Sequence, residues 1–100
     1  MKHFYLIAFF FVSSFAFSQQ TDADIEGFKL YPNPTVNGKI YIDTAQKAPK
    51  QIYIFDVLGT QVMETTILGN ELNVSRLDKG VYILRVRERN KVVTRKLIIK

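Results

Sequence analysis

From residue 28 to the end of the chain, apolar and polar positions alternate in short runs. Gly, Pro, Asn or Asp interrupts them about every eight to twelve residues. Successive side chains of a strand point to opposite faces, so a period of two marks strands with one buried face. The pattern predicts strands over 28–31, 39–43, 51–56, 61–67, 71–74, 81–88 and 91–99. In the second, Ile40 and Ile42 share a face; in the third, Ile52 and Ile54 oppose Tyr53 and Phe55; the fifth carries Leu72 and Val74. The sixth is the clearest, with Tyr82, Leu84 and Val86 inward and Arg85 and Arg87 outward. The last places Val93, Leu97 and Ile99 on the face of Arg95. No window sustains a helical period. Many short strands with regular turn signals predict an all-β, antiparallel sandwich.

The breaks have physical causes. Asn37-Gly38 has the residues a tight hairpin with positive φ requires. Gly59, Gly69-Asn70 and Asn90 are expected to turn the chain in the same way. Gly80, just before the sixth strand, permits a turn or bulge closed to residues with a β-carbon. Pro32 and Pro34 each remove a backbone donor and hold Tyr31 and Asn33 extended. Such a segment does not fit the middle of a sheet and is expected to cover an edge.

Residues ahead of the alternating region divide in two. Residues 1–18 have the order of a cleaved signal peptide: Lys2 and His3, an apolar run from Phe4 to Val12, then Ala16-Phe17-Ser18. The run is short for a bilayer span, and with no Cys in the chain a cysteine-linked lipid anchor is excluded. Residues 19–27 read as a flexible acidic lead, and 28–100 as one small domain. A domain of this size without disulfides depends on apolar packing and complete strand pairing.

The formal net charge is +5 and it is uneven. Between Arg76 and Lys100, nine Lys or Arg stand against Asp78 and Glu88. Most are expected on a solvated sheet face. An exported chain without aromatic-interleaved basic patches is a poor nucleic-acid binder, whereas an anionic glycolipid or an acidic receptor suits the charge. The catalytic inventory is nearly empty. The only His, His3, lies in the signal region, so nucleophilic Ser-His or Cys-His chemistry and the usual zinc sites are excluded. Asp43, Asp56 and Asp78 sit at strand ends or turns, where carboxylates satisfy backbone donors. Glu64 and Glu71 fall within strands. Asp22, Asp24 and Glu26 lack the further ligands of a calcium loop, and Asn73-Val74-Ser75 reads as a strand-end polar group despite matching a glycosylation sequon. No catalytic, metal or cofactor site is expected, and the chain does not read as an enzyme.

Four segments acquire meaning as an ordered set: Tyr31-Pro32-Asn33-Pro34, Asp56-Val57-Leu58-Gly59, Gly80-Val81-Tyr82 and Lys96-Leu97-Ile98-Ile99-Lys100. Together they resemble the type A C-terminal sorting domain of the type IX (Por) secretion system of the Bacteroidetes, over 28–100. The resemblance implies a seven-stranded Ig-like sandwich that serves as a secretion address. It assigns recognition to Tyr31, Pro32, Asn33, Pro34, Asp56, Gly59, Gly80, Tyr82, Lys96 and Lys100. It also implies translocon, shuttle and sortase-like partners, contact with anionic lipopolysaccharide, and a final place at the outer-membrane surface or outside the cell. Family members carry a large cargo ahead of the domain, whereas here only 19–27 precedes it. The domain would then be the product itself, or a cargo-stripped remnant. The alternative reading is a stand-alone exported Ig-like binding or adhesion module, with Tyr41 and Tyr53 as its exposed strand aromatics.

Overall fold

The computed structural model describes residues 25–100, and the expected signal peptide lies outside the described residues. Seven strands form: β1 (Lys29–Tyr31), β2 (Lys39–Asp43), β3 (Lys50–Asp56), β4 (Gln61–Ile67), β5 (Glu71–Asn73), β6 (Gly80–Glu88) and β7 (Lys91–Ile99). They make two antiparallel sheets, ordered β1-β2-β5 and β4-β3-β6-β7, with no helix among the described residues. The inward residues of the alternation meet between the sheets. Ile40, Ile42 and Leu72 come from the smaller sheet; Ile52, Ile54, Leu84, Val86, Val93 and Leu97 come from the larger. Burying each such side chain stabilises the fold by about 1.5–3 kcal/mol. This packing holds the seven-stranded Ig-like sandwich together without disulfides.

Two inward positions carry charge. Lys50 and Glu88 continue the inward series of Ile52 and Val86, and they face each other across the β3–β6 pair. Both are buried, and Lys50 Nζ lies 3.4 Å from Glu88 Oε2. Lys50 Nζ also donates to Ala48 O at 2.8 Å, while Glu88 Oε2 accepts from Thr44 Oγ1 at 2.5 Å and Ala48 N at 3.1 Å. Glu88 is therefore not part of a solvated face. Its network leaves no buried side-chain nitrogen or oxygen without a partner among the described residues, the condition under which a buried ion pair is tolerated.

Ile25, three residues ahead of the boundary expected at Phe28, packs into the sandwich core. Ile25 is 4% exposed within the core cluster. Phe28 N donates to Ile25 O, and Ala45 N to Glu26 O. Gly27 has φ +71°, and a β-carbon there would lie 2.9 Å from Ala45 N. At a spacing of two Ile25 has only Ala23 and Gly27, too small to mark a strand face, so the alternation did not recruit it.

Three turns differ from expectation. Neither residue of Gly69-Asn70 has a positive φ. Asn37-Gly38 does not close a two-residue hairpin: only Gly38 has positive φ (+77°), and 32–38 runs from the smaller sheet to the edge of the larger one before β2 begins. In the β6–β7 turn, Arg89 takes the left-handed conformation (φ 57°), not Asn90. Gly59 has φ +89°, as a turn glycine should.

Candidate recognition site

The four motifs lie far apart in the chain, yet strand register brings them to one end of the sandwich. Asp56 pairs with Tyr82, and Tyr82 pairs with Leu97, so β3, β6 and β7 present one transverse row there. Gly80 pairs with Ile99, and Ile99 bridges to Thr35 in parallel. The segment 32–38, the hairpin 57–60 and the loop 74–79 therefore share that end with the end of β7. Val74 N donates to Gly38 O, and a β-carbon on Gly38 would sit 2.9 Å from Ser75 Cβ. These two loops are in close contact.

The Tyr-Pro-Asn-Pro segment closes the free edge of β7. Neither proline can donate to a ladder, and both are preceded by cis peptide bonds. The asparagine between them replaces the missing backbone groups with its side chain: Asn33 Nδ2 donates to Lys96 O at 2.7 Å, and Asn33 Oδ1 accepts from Ile98 N at 3.0 Å. One residue past Pro34 the backbone resumes, with Thr35 N donating to Ile98 O and Lys100 N to Thr35 O, both at 2.9 Å. Thr35 is fully buried, and its hydroxyl donates to Lys39 O at 2.8 Å. An edge that could template the pairing of another chain is thereby covered. Thr35 had no sequence signal beyond its place after the motif.

Tyr31 and Asp43 brace the same segment from the other side. Tyr31 is 42% exposed and stacks on Tyr41 with ring centroids 5.6 Å apart. Tyr31 is thus the exposed strand tyrosine, whereas Tyr41 and Tyr53, expected to be exposed, are half-buried. The Tyr31 hydroxyl donates to Asp43 Oδ2 at 2.6 Å, and Asn70 Nδ2 donates to Asp43 Oδ1 at 2.9 Å. The bond from Tyr31, then that from Asn70, holds the Asp43 carboxyl below its ordinary range, with help from Lys29 and Lys47. The same bond to Asp43 raises the Tyr31 hydroxyl.

The other motif positions serve the backbone too. Asp56 Oδ1 accepts from Leu58 N at 2.9 Å and Thr60 N at 3.0 Å, and Gly59 N donates to Asp56 O. Tyr82 is buried in the core cluster and donates its hydroxyl to Asp78 O at 2.6 Å. Gly80 is the first residue of β6, with φ +157°, and a β-carbon there would find Tyr82 Cε1 at 3.9 Å. Lys96 and Lys100 are exposed.

What this end offers to a partner lies beside the motif residues. Val36, Val57 and Leu58 are 76%, 70% and 87% exposed. Sequence reading passed over them because no period-two run contains them. Among the described residues no group of three His, Cys, Asp or Glu side chains is placed to hold a metal ion. A cleft of about 670 Å³ lined by Lys29, Asp43, Thr44, Lys47 and Asn70 lies at the opposite end, and no motif residue lines it.

The comparisons with known proteins bear on the fold and the family. A solved structure of PorZ, an essential bacterial surface component of the type-IX secretion system of Porphyromonas gingivalis, matches with a TM-score of 0.57 and 22% identity. The match covers 74% of this chain and 11% of that one, and at this identity it speaks for the sandwich fold alone. No curated protein matches the chain. The family described as the secretion system C-terminal sorting domain matches residues 29–100, which takes in every strand and all four motifs. By that match the chain belongs to the type IX secretion C-terminal sorting domain family, and its role is that of a secretion address.

Proposed function

We propose that the domain is read by the type IX machinery at the end of the sandwich where the four motifs meet. The observation that carries the reading is the joining of residues 31–35 to residues 96–100 through Asn33 and Thr35. Two sequence segments at opposite ends of the domain form one surface only when the domain is folded, so the address is presented by the folded state. Shuttle and translocon components would engage this surface in the periplasm and move the chain across the outer membrane. A sortase-like component would then act on it, and anionic lipopolysaccharide would receive it at the cell surface. The domain itself performs no chemistry in this scheme. A signal peptide over 1–18 would supply the first step, across the inner membrane.

The test is a fluorescent reporter placed between a signal peptide and residues 21–100, expressed in a type IX-competent host. Reporter at the cell surface or in the medium is the expected result. Retention in the periplasm, equal to that of the reporter without the domain, would overturn the proposal.

A further inference from the structure

We infer that the aliphatic tip Val57-Leu58, together with Val36, is the anchor by which this end docks into an apolar pocket with carboxylates on its rim, on a protein partner. The inference rests on the address reading above and supplies the chemistry of the partner.

The tip of a solvated hairpin normally carries polar or turn-forming residues, and this one presents a valine and a leucine. Their exposure is not slack in the chain. Asp56 fixes the turn through two side-chain bonds and through backbone bonds to Gly59 and Thr60. A turn already fixed in one shape has little backbone entropy left to lose on binding. Val36 stands at the same end of the sandwich. It follows Thr35, which pairs beside β7, while Val57 follows Asp56 on β3, with β6 between. At about 4.8 Å per strand spacing, the two stand about 14 Å apart across one surface. Of the seven large hydrophobics most exposed among the described residues, the other one above 70%, Leu68, lies in the β4–β5 turn at the opposite end.

Charge selects the partner. Arg76, Lys79 and Lys100 are exposed around these aliphatics, with Asp78 the one exposed acidic residue in the 74–79 loop. Asp56, half-buried, spends Oδ1 on its turn, which leaves three exposed cations against the two carboxylates of Asp56 and Asp78. A complementary surface carries carboxylates, which would steer encounter as well as fix orientation. An anionic bilayer shares the charge but not the anchor chemistry. Interfacial insertion draws on Trp and other aromatic rings, while the chain has no Trp and these three loops have no aromatic residue.

The experiment uses the exported reporter carrying residues 21–100. Val57→Ser with Leu58→Ser should lower export at least tenfold while thermal unfolding matches wild type, and Lys79→Glu with Lys100→Glu should do the same. Leu68→Ser, at the opposite end, should export normally. A photo-crosslinking residue at position 58, Leu58→p-benzoylphenylalanine, should yield a discrete protein adduct that the Lys79→Glu, Lys100→Glu change abolishes. Wild-type export by the folded V57S/L58S chain overturns the inference, as do adducts to lipid alone. Should V57S/L58S melt below wild type, the charge-reversed chain decides: normal export there also overturns it. If the wild-type reporter is itself retained, the address reading fails instead, so the two failures are distinguishable.

Discussion

Asn33→Ala isolates the clamp between the Tyr-Pro-Asn-Pro segment and the terminal strand. The substitution removes two hydrogen bonds, to Lys96 O and from Ile98 N, and disturbs no apolar packing because Asn33 is exposed. A hydrogen bond contributes about 0.5–1.5 kcal/mol net, and water can replace part of each bond at an exposed edge, so the expected loss is about 1–2 kcal/mol. For a domain of this size that corresponds to a melting temperature lower by about 5–15 °C. Thermal unfolding followed by circular dichroism measures it, and amide exchange at Ile98 reports the clamp directly, since Ile98 N donates to Asn33 and to no strand beyond it. Asn33→Asp sharpens the test. Its carboxylate can still accept from Ile98 N but cannot donate to Lys96 O, so at neutral pH it should be no more stable than the alanine variant. Protonation at acid pH restores a donor and should narrow its deficit relative to wild type at the same pH. A melting temperature and an Ile98 exchange rate both unchanged in Asn33→Ala would refute the clamp.

Tyr82→Ala should cost about 3–5 kcal/mol by leaving a cavity in the core, whereas Tyr82→Phe removes only the bond to Asp78 O and should cost about 1 kcal/mol in chemical denaturation. Glu88→Ala leaves Lys50 buried without its counter-charge and should cost about 3–5 kcal/mol, while Lys50→Met combined with Glu88→Leu should recover most of that loss. The Asp43 carboxyl titrates below its ordinary value chiefly because Tyr31 donates to it. Its contribution is therefore present above that value and lost as pH falls through the lowered one. Tyr31→Phe should move the Asp43 carboxyl upward in an NMR titration and reduce the stability lost in acid; an unmoved carboxyl would contradict the assignment.

The alternation made β2 and β7 legible to the residue, because one face of each sheet is buried and a slip of one residue would expose the whole apolar set. In β4 only Ile67 is buried, and its bounds followed from the turn residues on either side, Gly59 and Gly69-Asn70. The strand expected from 51 starts one residue earlier, and continuing its alternation turns Lys50 inward opposite Glu88; charge at both positions argues for solvent, and only their placement opposite each other makes the burial tolerable. Ile25 stayed hidden because a single apolar residue has no period. The edge-covering role of Pro32 and Pro34 followed from local chemistry, since proline cannot donate. Its object, β7, did not, because Asn33 and Ile98 are 65 residues apart and nothing local specifies their contact. The motif residues were found as a set, yet Asp56, Gly59 and Tyr82 act mainly on the backbone and core. The exposed Val36, Val57 and Leu58 that they position fall outside every strand pattern.

The central claim is that the folded domain is a type IX secretion address. The most direct measurement is the fraction of reporter outside intact cells when residues 21–100 are fused behind it, compared between a host with a working type IX translocon and an isogenic host lacking it. The account predicts export in the first and periplasmic retention of folded reporter in the second. Equal export from both hosts, or equal retention in both, would contradict it.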